Sequence, residues 1–456
     1  LISRVFIANR GEIAVRIVRA CRDLGIESVV GYSVADRESL AVRMADRAVC
    51  IGPASSRESY LRVDLVVGAA LGTGCDALHP GYGFLAESAE LAAACASEGL
   101  AFVGPTAEQI REMGNKLRAR ALASDYGLPL LPGSERVGSH EQASQLARRI
   151  GLPVIMKAAA GGGGRGMRIV NSFDDIQASF IAAASEARAA FGDDSVYIER
   201  YVHSARHVEV QVLGDGKGNV IHLGERDCSM QRRHQKLVEE TPAPGLSGTL
   251  RRQIRDAAVT FAAKMKYANA GTIEFVVDQE SQAFYFLEMN TRIQVEHPVS
   301  ELVTGIDIVQ EQLRIASGEG LRFAQGDIVF RGHAIECRIN AELPGEGFRP
   351  DPGRITEWRP PDGLHLRLDS HCYAGYTVPP HYDSLIGKFM AYGSDRDECL
   401  ARLQKGLERF AIAGIGTTVP FLRFLLAHPE FVSGKGNTRT VEAILPAFAG
   451  KARAAA

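Results

Sequence analysis

Four glycines in a row, residues 161–164 within KAAAGGGGRGMR (157–168), restrict the fold of this chain more than any other feature of its sequence. Lacking side chains, they let backbone N–H groups close on a phosphate, and the apolar residues 153–156 before Lys157 supply a strand to hold them. No Lys-Ser or Lys-Thr follows, as a Walker A loop requires, and the run is not a G-x-G-x-x-G opening a long helix. A phosphate-binding fold of another kind and a flexible loop without ligand are the two readings open to it.

At 456 residues the chain exceeds one typical core, so two or three domains are expected. Its 23% charged and 46% apolar residues leave little room for extended disorder. A net charge of -2 argues against a nucleic-acid binder, whose footprint is clustered basic surface. The eight cysteines (Cys21, Cys50, Cys75, Cys95, Cys228, Cys337, Cys372, Cys399) form no C-x-x-C pair, which points away from a zinc site or disulfide framework and toward a reducing, cytoplasmic setting. No apolar run approaches the roughly 20 residues of a membrane helix, and no secretory signal layout opens the chain. Leu1 is not an initiator methionine, so leading residues, a transit peptide among them, stay open.

Residues 5–8 read as a strand, the stretch from a turn at 9–11 to about Leu24 as an amphipathic helix, and 28–32 as a second strand, together a βαβ unit. Short apolar segments at 76–79 and 101–104 continue the pattern of a parallel sheet, and a first boundary is expected near Gly114. GLPLLPGSERVG (127–138), rich in Pro and Gly, reads as a linker into a small mobile unit. From Tyr201 the pattern turns to hairpins, clearest in HVEVQVLGDGKGNVIHLGE (207–225). Short strands return after about Phe330, then a helix near 396–410, and the Ala-rich tail from Ala447 reads as frayed.

Three further segments carry candidate chemistry. Glu274 in GTIEFVVD and Glu288 in AFYFLEMN fall opposite each other if a hairpin turns near Ser281, with Asn290 two residues on along the same face. Opposed carboxylates repel, which makes sense if divalent cations sit between them; a solvated polar sheet face is the alternative. In NTRIQVEHPVSE, Arg292, Gln294 and Glu296 alternate with apolar residues as if on a strand that Pro298 stops. An arginine fork, an amide and a carboxylate base on one face suit a small oxyanion such as bicarbonate, with plain surface alternation as the alternative. GERDCSMQRRHQK (224–236) is dense in groups that recognise phosphate or carboxylate, or else forms a basic solvated face.

Taken in order, FIANRGEIAVRI, HPGYGFLAES, KAAAGGGGRGMR, RHVEVQVL, ERDCSMQRRHQK, EMNTRIQVEHP, GHAIECRINAE and AGYTVPPHYDS resemble biotin carboxylase, a branch of the ATP-grasp superfamily, from about Arg4 to Arg409. That resemblance implies an α/β chain with a Rossmann-like pre-ATP-grasp domain (1–113), an ATP-grasp domain (114–318) with a mobile lid at about 134–201, and a C-terminal α+β biotin carboxylase domain (330–446). It implies a ligase that activates bicarbonate with ATP as carboxyphosphate and carboxylates carrier-borne biotin, the first half-reaction of an acetyl-CoA or other acyl-CoA carboxylase, in fatty acid biosynthesis. Its partners would be a biotin carboxyl carrier protein, a carboxyltransferase subunit and a second copy in a homodimer, with neither nucleic acid nor membrane.

By the same resemblance, Lys116, Lys157 and His207 would hold ATP phosphates, with Gly163 and Gly164 in the ATP-binding set. Glu199 and the backbone near Val202 would recognise adenine, Met167 would pack on it, and Gln231 and His234 would take the ribose. Glu274, Glu288 and Asn290 would ligate two Mg²⁺ or Mn²⁺. Lys236, Arg292, Gln294 and the Val295 amide would hold bicarbonate, Glu296 would be the general base, Arg338 would stabilise the biotin enolate, and Tyr82 would lie near the biotin ring. His207 as a sheet histidine and Arg338 paired with Glu336 are the plain structural alternatives. Asn115, Arg200, Leu343 and His381 depart from the family pattern without removing a catalytic group. Lys264 in AAKMKYAN lacks the flanking methionines of a biotin attachment site, so biotin is expected on another chain or on another domain of a longer carboxylase. Another ATP-grasp ligase and a non-catalytic nucleotide sensor are the competing functions, and the final carboxyl acceptor is not legible.

Overall fold

The computed structural model describes residues 2–134, 136–158 and 167–454. Strand Arg4–Ile7 sits at the centre of a parallel sheet ordered Arg47–Gly52, Glu27–Ser33, Arg4–Ile7, Ala77–His79, Ala101–Phe102. Because the chain winds outward first on one side of Arg4–Ile7 and then on the other, a crevice opens at the carboxyl ends of Arg4–Ile7 and Ala77–His79, where open α/β sheets take ligands. Asn9, just past the first of these ends, donates to the carbonyls of Pro80 and Tyr82, 2.7 Å each, and so fixes the turn that carries Tyr82. The following helix, Gly11–Asp23, is buried along most of its length because helix Ile308–Ala316 and strand Leu366–Ser370 also pack on it. Its buried Arg16 is accordingly paired, with Glu301 at 2.9 Å and Asp307 at 2.5 Å.

The Pro- and Gly-rich stretch 127–138 leads, as expected, into a small unit. It bridges Leu130 to Phe286 of the large sheet, then Gly133 and Val137 to the strand Val196–Arg200. That unit is a three-stranded antiparallel sheet, Arg168–Val170, Val154–Ala158, Val196–Arg200, covered by helices His140–Ile150 and Ile176–Phe191.

The rest is dominated by one eight-stranded antiparallel sheet. Its order is Phe284–Asn290, Ala268–Asp278, Ala205–Asp215, Val220–Arg232, Gln235–Thr241, His333–Asn340, Leu385–Gly393, Leu366–Ser370. The hairpin read at 207–225 forms, with residues 216–219 as its turn. So does the carboxylate hairpin, with Glu274 directly opposite Glu288. The central and C-terminal parts of the chain are thus strands of a single sheet, joined where Gln235–Thr241 pairs with His333–Asn340.

Two expectations are corrected. Residues 292–296 are not a strand: the chain leaves the sheet after Asn290, and Pro298, instead of stopping a strand, lies at the start of helix His297–Thr304, where its missing N–H costs nothing. The tail is not frayed from Ala447, since helix Thr440–Ala454 runs through it and Phe448 packs on Phe421 and Phe424. Among the described residues no helix is long and apolar enough to cross a membrane. Phe261 is fully buried between helix Gly248–Lys264 and the sheet, against Tyr126 and Phe286. Phe261→Ala is expected to cost about 3–5 kcal/mol, read as a lower midpoint in thermal unfolding.

Candidate active site

A cleft of about 1680 Å³ runs between the small sheet, the large sheet and helix Thr440–Ala454. Of the expected site residues, Lys116, Lys157, Met167, Val202, His207, Gln231, His234, Lys236, Glu274, Glu288, Asn290, Arg292, Gln294, Val295, Glu296 and Arg338 all line it. Glu199 and Tyr82 do not, and Gly163 and Gly164 lie outside the described residues.

The floor of the cleft follows from sheet register. Glu288, Glu274, Glu209 and Arg226 face one another in a row across four adjacent strands. Three carboxylates side by side are tolerable only with cations among them. Arg226, fully buried, donates to Glu209 at 2.6 Å, Gln211 at 2.7 Å and Gln294 at 2.9 Å. Lys236, one strand further, reaches Glu209 at 2.6 Å, Glu274 at 3.1 Å and Glu296 at 2.6 Å. His207 lies 3.0 Å from Glu274, which also accepts from Asn290 and Gln294 at 2.8 Å each. Burial alone would raise the Glu274 carboxyl, but Lys236 and His207 outweigh it and hold it well below the usual carboxylate range. The same burial would lower His207, and Glu274 overrides it, lifting the imidazole to about 9.

Glu288 stands apart from this neutralised group. It has no hydrogen-bond or ion-pair partner among the described residues, and burial and then the Glu274 charge push its carboxyl up. Hard oxygen donors from Glu288, Glu274 and Asn290 on one face, with repulsion still unrelieved at Glu288, fit a divalent cation.

Glu296 closes the other end. Its two carboxylate oxygens are divided between Lys236 and Arg338, the latter at 2.9 Å, and these cations outweigh burial to keep it below its ordinary value. Arg338 pairs with Glu239 at 2.6 Å and with Glu296, rather than with Glu336 as the structural alternative supposed. Arg292 has left the strand but still reaches the cleft, held by Glu87 at 2.9 Å and Asn290 at 3.0 Å. Although the strand reading fails, Arg292, Gln294 and Glu296 do converge.

Toward the small sheet, Lys157 donates to Glu199 at 2.6 Å, and Arg120 pairs with the other Glu199 oxygen. The Glu199 carboxylate is therefore occupied by two cations, and its main chain lies within the strand, paired with Ile155 and bridged to Gly133. Lys116 begins a helix capped by Asn115, which accepts from the Arg118 N–H at 3.0 Å. Asn fills an N-cap as well as Asp does, so this departure from the family pattern is structurally silent. Burial lowers Lys116, whose neighbours include the second cation, Lys157. Gln231 lies just before, and His234 within, a tight turn in which Arg233 and His234 both take positive φ, 47° and 67°. Tyr82 sits at the crevice of the parallel sheet, its hydroxyl donating to buried Glu12.

The family models agree with this geometry. "Biotin carboxylase, N-terminal domain" matches residues 1–110, "Carbamoyl-phosphate synthase L chain, ATP binding domain" 115–324, and "Biotin carboxylase C-terminal domain" 336–443. Biotin carboxylase 1 of Bacillus subtilis is 53% identical over 97% of this chain and 98% of its own. The chain belongs to the biotin carboxylase family. The crystal structure of a biotin carboxylase–beta-gamma-ATP complex from Campylobacter jejuni superposes with a TM-score of 0.94 at 45% identity, covering 97% of this chain and 99% of that one. The biotin carboxylase domain dimer of Hydrogenobacter thermophilus 2-oxoglutarate carboxylase, solved with MgADP, ADP and bicarbonate, matches at 0.94 and 43%, over 98% and 99%.

Within this biotin carboxylase site, sequence reasoning missed Glu209, Arg226 and Glu239. Glu209 was readable, since His207, Glu209 and Gln211 alternate with Val208, Val210 and Val212. Arg226 lay in a run read as phosphate-binding or solvated, and nothing local marks it as interior. Burial drives the Glu239 carboxyl up, from the usual 4.5 to about 7, against the pull of Arg338. The folded chain therefore binds this proton more tightly than the unfolded one, so the stability it contributes is full below about pH 4.5 and is lost as pH rises toward 7. Glu239→Gln mimics the protonated form; its melting temperature relative to the parent should rise between about pH 5 and about pH 8, and a pH-independent difference would count against this.

Proposed function

We propose that this chain carries out ATP-dependent carboxylation of biotin by bicarbonate, the first half-reaction of an acyl-CoA carboxylase. The observation that carries the reading is Glu296, a carboxylate held between Lys236 and Arg338 where the phosphate-facing and crevice-facing ends of the site meet. On this reading the chain divides near 1–113, 114–318 (with a lid at about 134–201) and 330–446.

At the ATP end, Lys116, Lys157 and His207 bind phosphates, Gln231 and His234 the ribose, and Met167 with Glu199 and the main chain near Val202 the adenine. Lys157 exchanges part of its contact with Glu199 for phosphate, an exchange of like partners that keeps the buried charge paired. Glu274, Glu288 and Asn290 would hold Mg²⁺ or Mn²⁺, which supplies charge screening at the phosphates. Phosphoryl transfer depends on positioning and charge neutralisation more than on covalent chemistry, which suits a site so rich in fixed cations. Arg292, Gln294, Lys236 and the Val295 N–H hold bicarbonate. Glu296 accepts the bicarbonate O–H proton as its oxygen attacks the γ-phosphorus, and the P–O bond to ADP breaks. Carboxyphosphate then releases CO₂ and phosphate; phosphate takes the N1′ proton of biotin, and the nitrogen captures CO₂. Arg338, kept charged by Glu239 and Glu296, faces the enolate-like charge, with Tyr82 beside the ring.

Biotin arrives on a carboxyl carrier protein, and a carboxyltransferase chooses the final acceptor; a second copy completes a homodimer. A reducing, cytoplasmic setting is supported by eight free cysteines, seven of them buried. Purified protein with MgATP should release ADP only with bicarbonate, and free biotin should accelerate the release. Turnover indifferent to biotin would indicate another ATP-grasp ligase, and none at all a nucleotide sensor. Glu296→Gln should lower bicarbonate-dependent release at least about 100-fold, within the range for losing a general base, with MgADP affinity retained by calorimetry. Arg338→Ala should lower the biotin-stimulated rate while leaving ATP binding intact.

A further inference from the structure

A lysine fully buried in a sheet and opposite an arginine needs a reason. Lys388, on strand Leu385–Gly393, is 0% exposed, and the residue facing it on the neighbouring strand is Arg338. Two cations directly opposed destabilise a sheet, and a buried ion pair is often no better for stability than well-packed apolar residues. Lys388 is nonetheless surrounded by designed partners. Its Nζ lies 3.2 Å from Glu12 and 4.0 Å from Asp369, and it donates to the carbonyl oxygen of Val295 at 2.8 Å.

The last bond is the informative one. The Val295 carbonyl belongs to the peptide that joins Val295 to Glu296, at the irregular turn where the chain has left the large sheet and not yet entered helix His297–Thr304. No ladder fixes a peptide plane there. A charge-assisted hydrogen bond to a rigidly held lysine does, and it sets both the Val295 main chain and the point from which the Glu296 side chain departs. Glu12, which anchors Lys388, accepts the Tyr82 hydroxyl with its other oxygen. One chain of contacts, Tyr82–Glu12–Lys388–Val295, therefore links the turn in the parallel sheet, the turn before Glu296 and the C-terminal strand.

We infer that Lys388 is a positioning residue for the bicarbonate end of the site, holding the Val295–Glu296 peptide through a hydrogen bond anchored by Glu12. This rests on the reading of the site given above. Lys388→Met strands the Glu12 carboxylate, so the double variant E12Q/K388M, which removes both charges, accompanies it. The parent's bicarbonate-dependent, biotin-stimulated ADP release is measured first in the same assay; its absence would defeat the functional reading and leave the positioning role without a reaction to serve. With the parent active, the expected result is a KM for bicarbonate raised about tenfold or more in each variant that binds MgADP, by calorimetry, within about twofold of the parent, with the KM for MgATP unchanged. A bicarbonate KM equal to the parent's in a variant that binds MgADP would overturn the inference. So would loss of MgADP binding in both variants, which would make Lys388 a residue of the fold alone.

Discussion

Charge neutralisation in a desolvated interior governs this molecule. Glu274, Glu296, Lys236, Arg338 and His207 on the cleft bond directly to one another and to Glu209, Glu239 and Arg226 buried beneath them. Each such ion costs several kcal/mol to bury, and the group survives because nearly every carboxylate oxygen meets a cation or an N–H. His207, raised to about 9 by Glu274, keeps its positive charge beside that carboxylate at neutral pH. The same balance leaves Glu288 without a partner among the described residues, and it is there that an added cation has most to stabilise.

That balance depends on continuity of the large sheet. Glu288, Glu274, Glu209 and Arg226 come from four successive strands of it, Lys236 and Glu239 from the next, and Arg338 from the one after. Splitting the sheet between Gln235–Thr241 and His333–Asn340 would separate Arg338 from Glu239 and leave that buried carboxylate without its cation. The parallel sheet at the amino end contributes differently: its crevice carries Tyr82 on a turn fixed by Asn9, and its first helix carries Glu12. The two architectures meet through paired buried charges, Arg16 with Glu301 and Lys388 with Glu12.

Legibility in the sequence followed the range of the interactions. The hairpin joining Glu274 to Glu288 is local, so period-two alternation and a polar turn were enough to place the two carboxylates opposite each other. Residues 292–296 show the same alternation but not the same structure. Without a partner strand there, Arg292 turns to Glu87, a residue from the amino-terminal unit, and Pro298 opens a helix. Arg226 and Lys236 lie ten residues apart in one basic run, yet one is sealed in the core and the other faces the cleft. Composition cannot separate them, because burial is decided by strands contributed from elsewhere. Glu239 and Glu336 are similarly silent until Gln235–Thr241 pairs with His333–Asn340.

Classes of structure and the inventory of chemistry are legible along the chain: a parallel βαβ start, hairpins after Tyr201, a glycine run outside the Walker and Rossmann patterns, and motifs in the order of one family. These are set by neighbours a few residues apart, where chirality, side-chain period and turn propensity act directly. Only the tertiary structure decided which charges meet. Glu209 finds Arg226 and Lys236, Glu296 finds Arg338, and Lys388 finds both Glu12 and the Val295 carbonyl across separations that no local periodicity encodes. Electrostatic strength depends on distance and desolvation, and both are properties of the packed interior rather than of the order of residues along the chain.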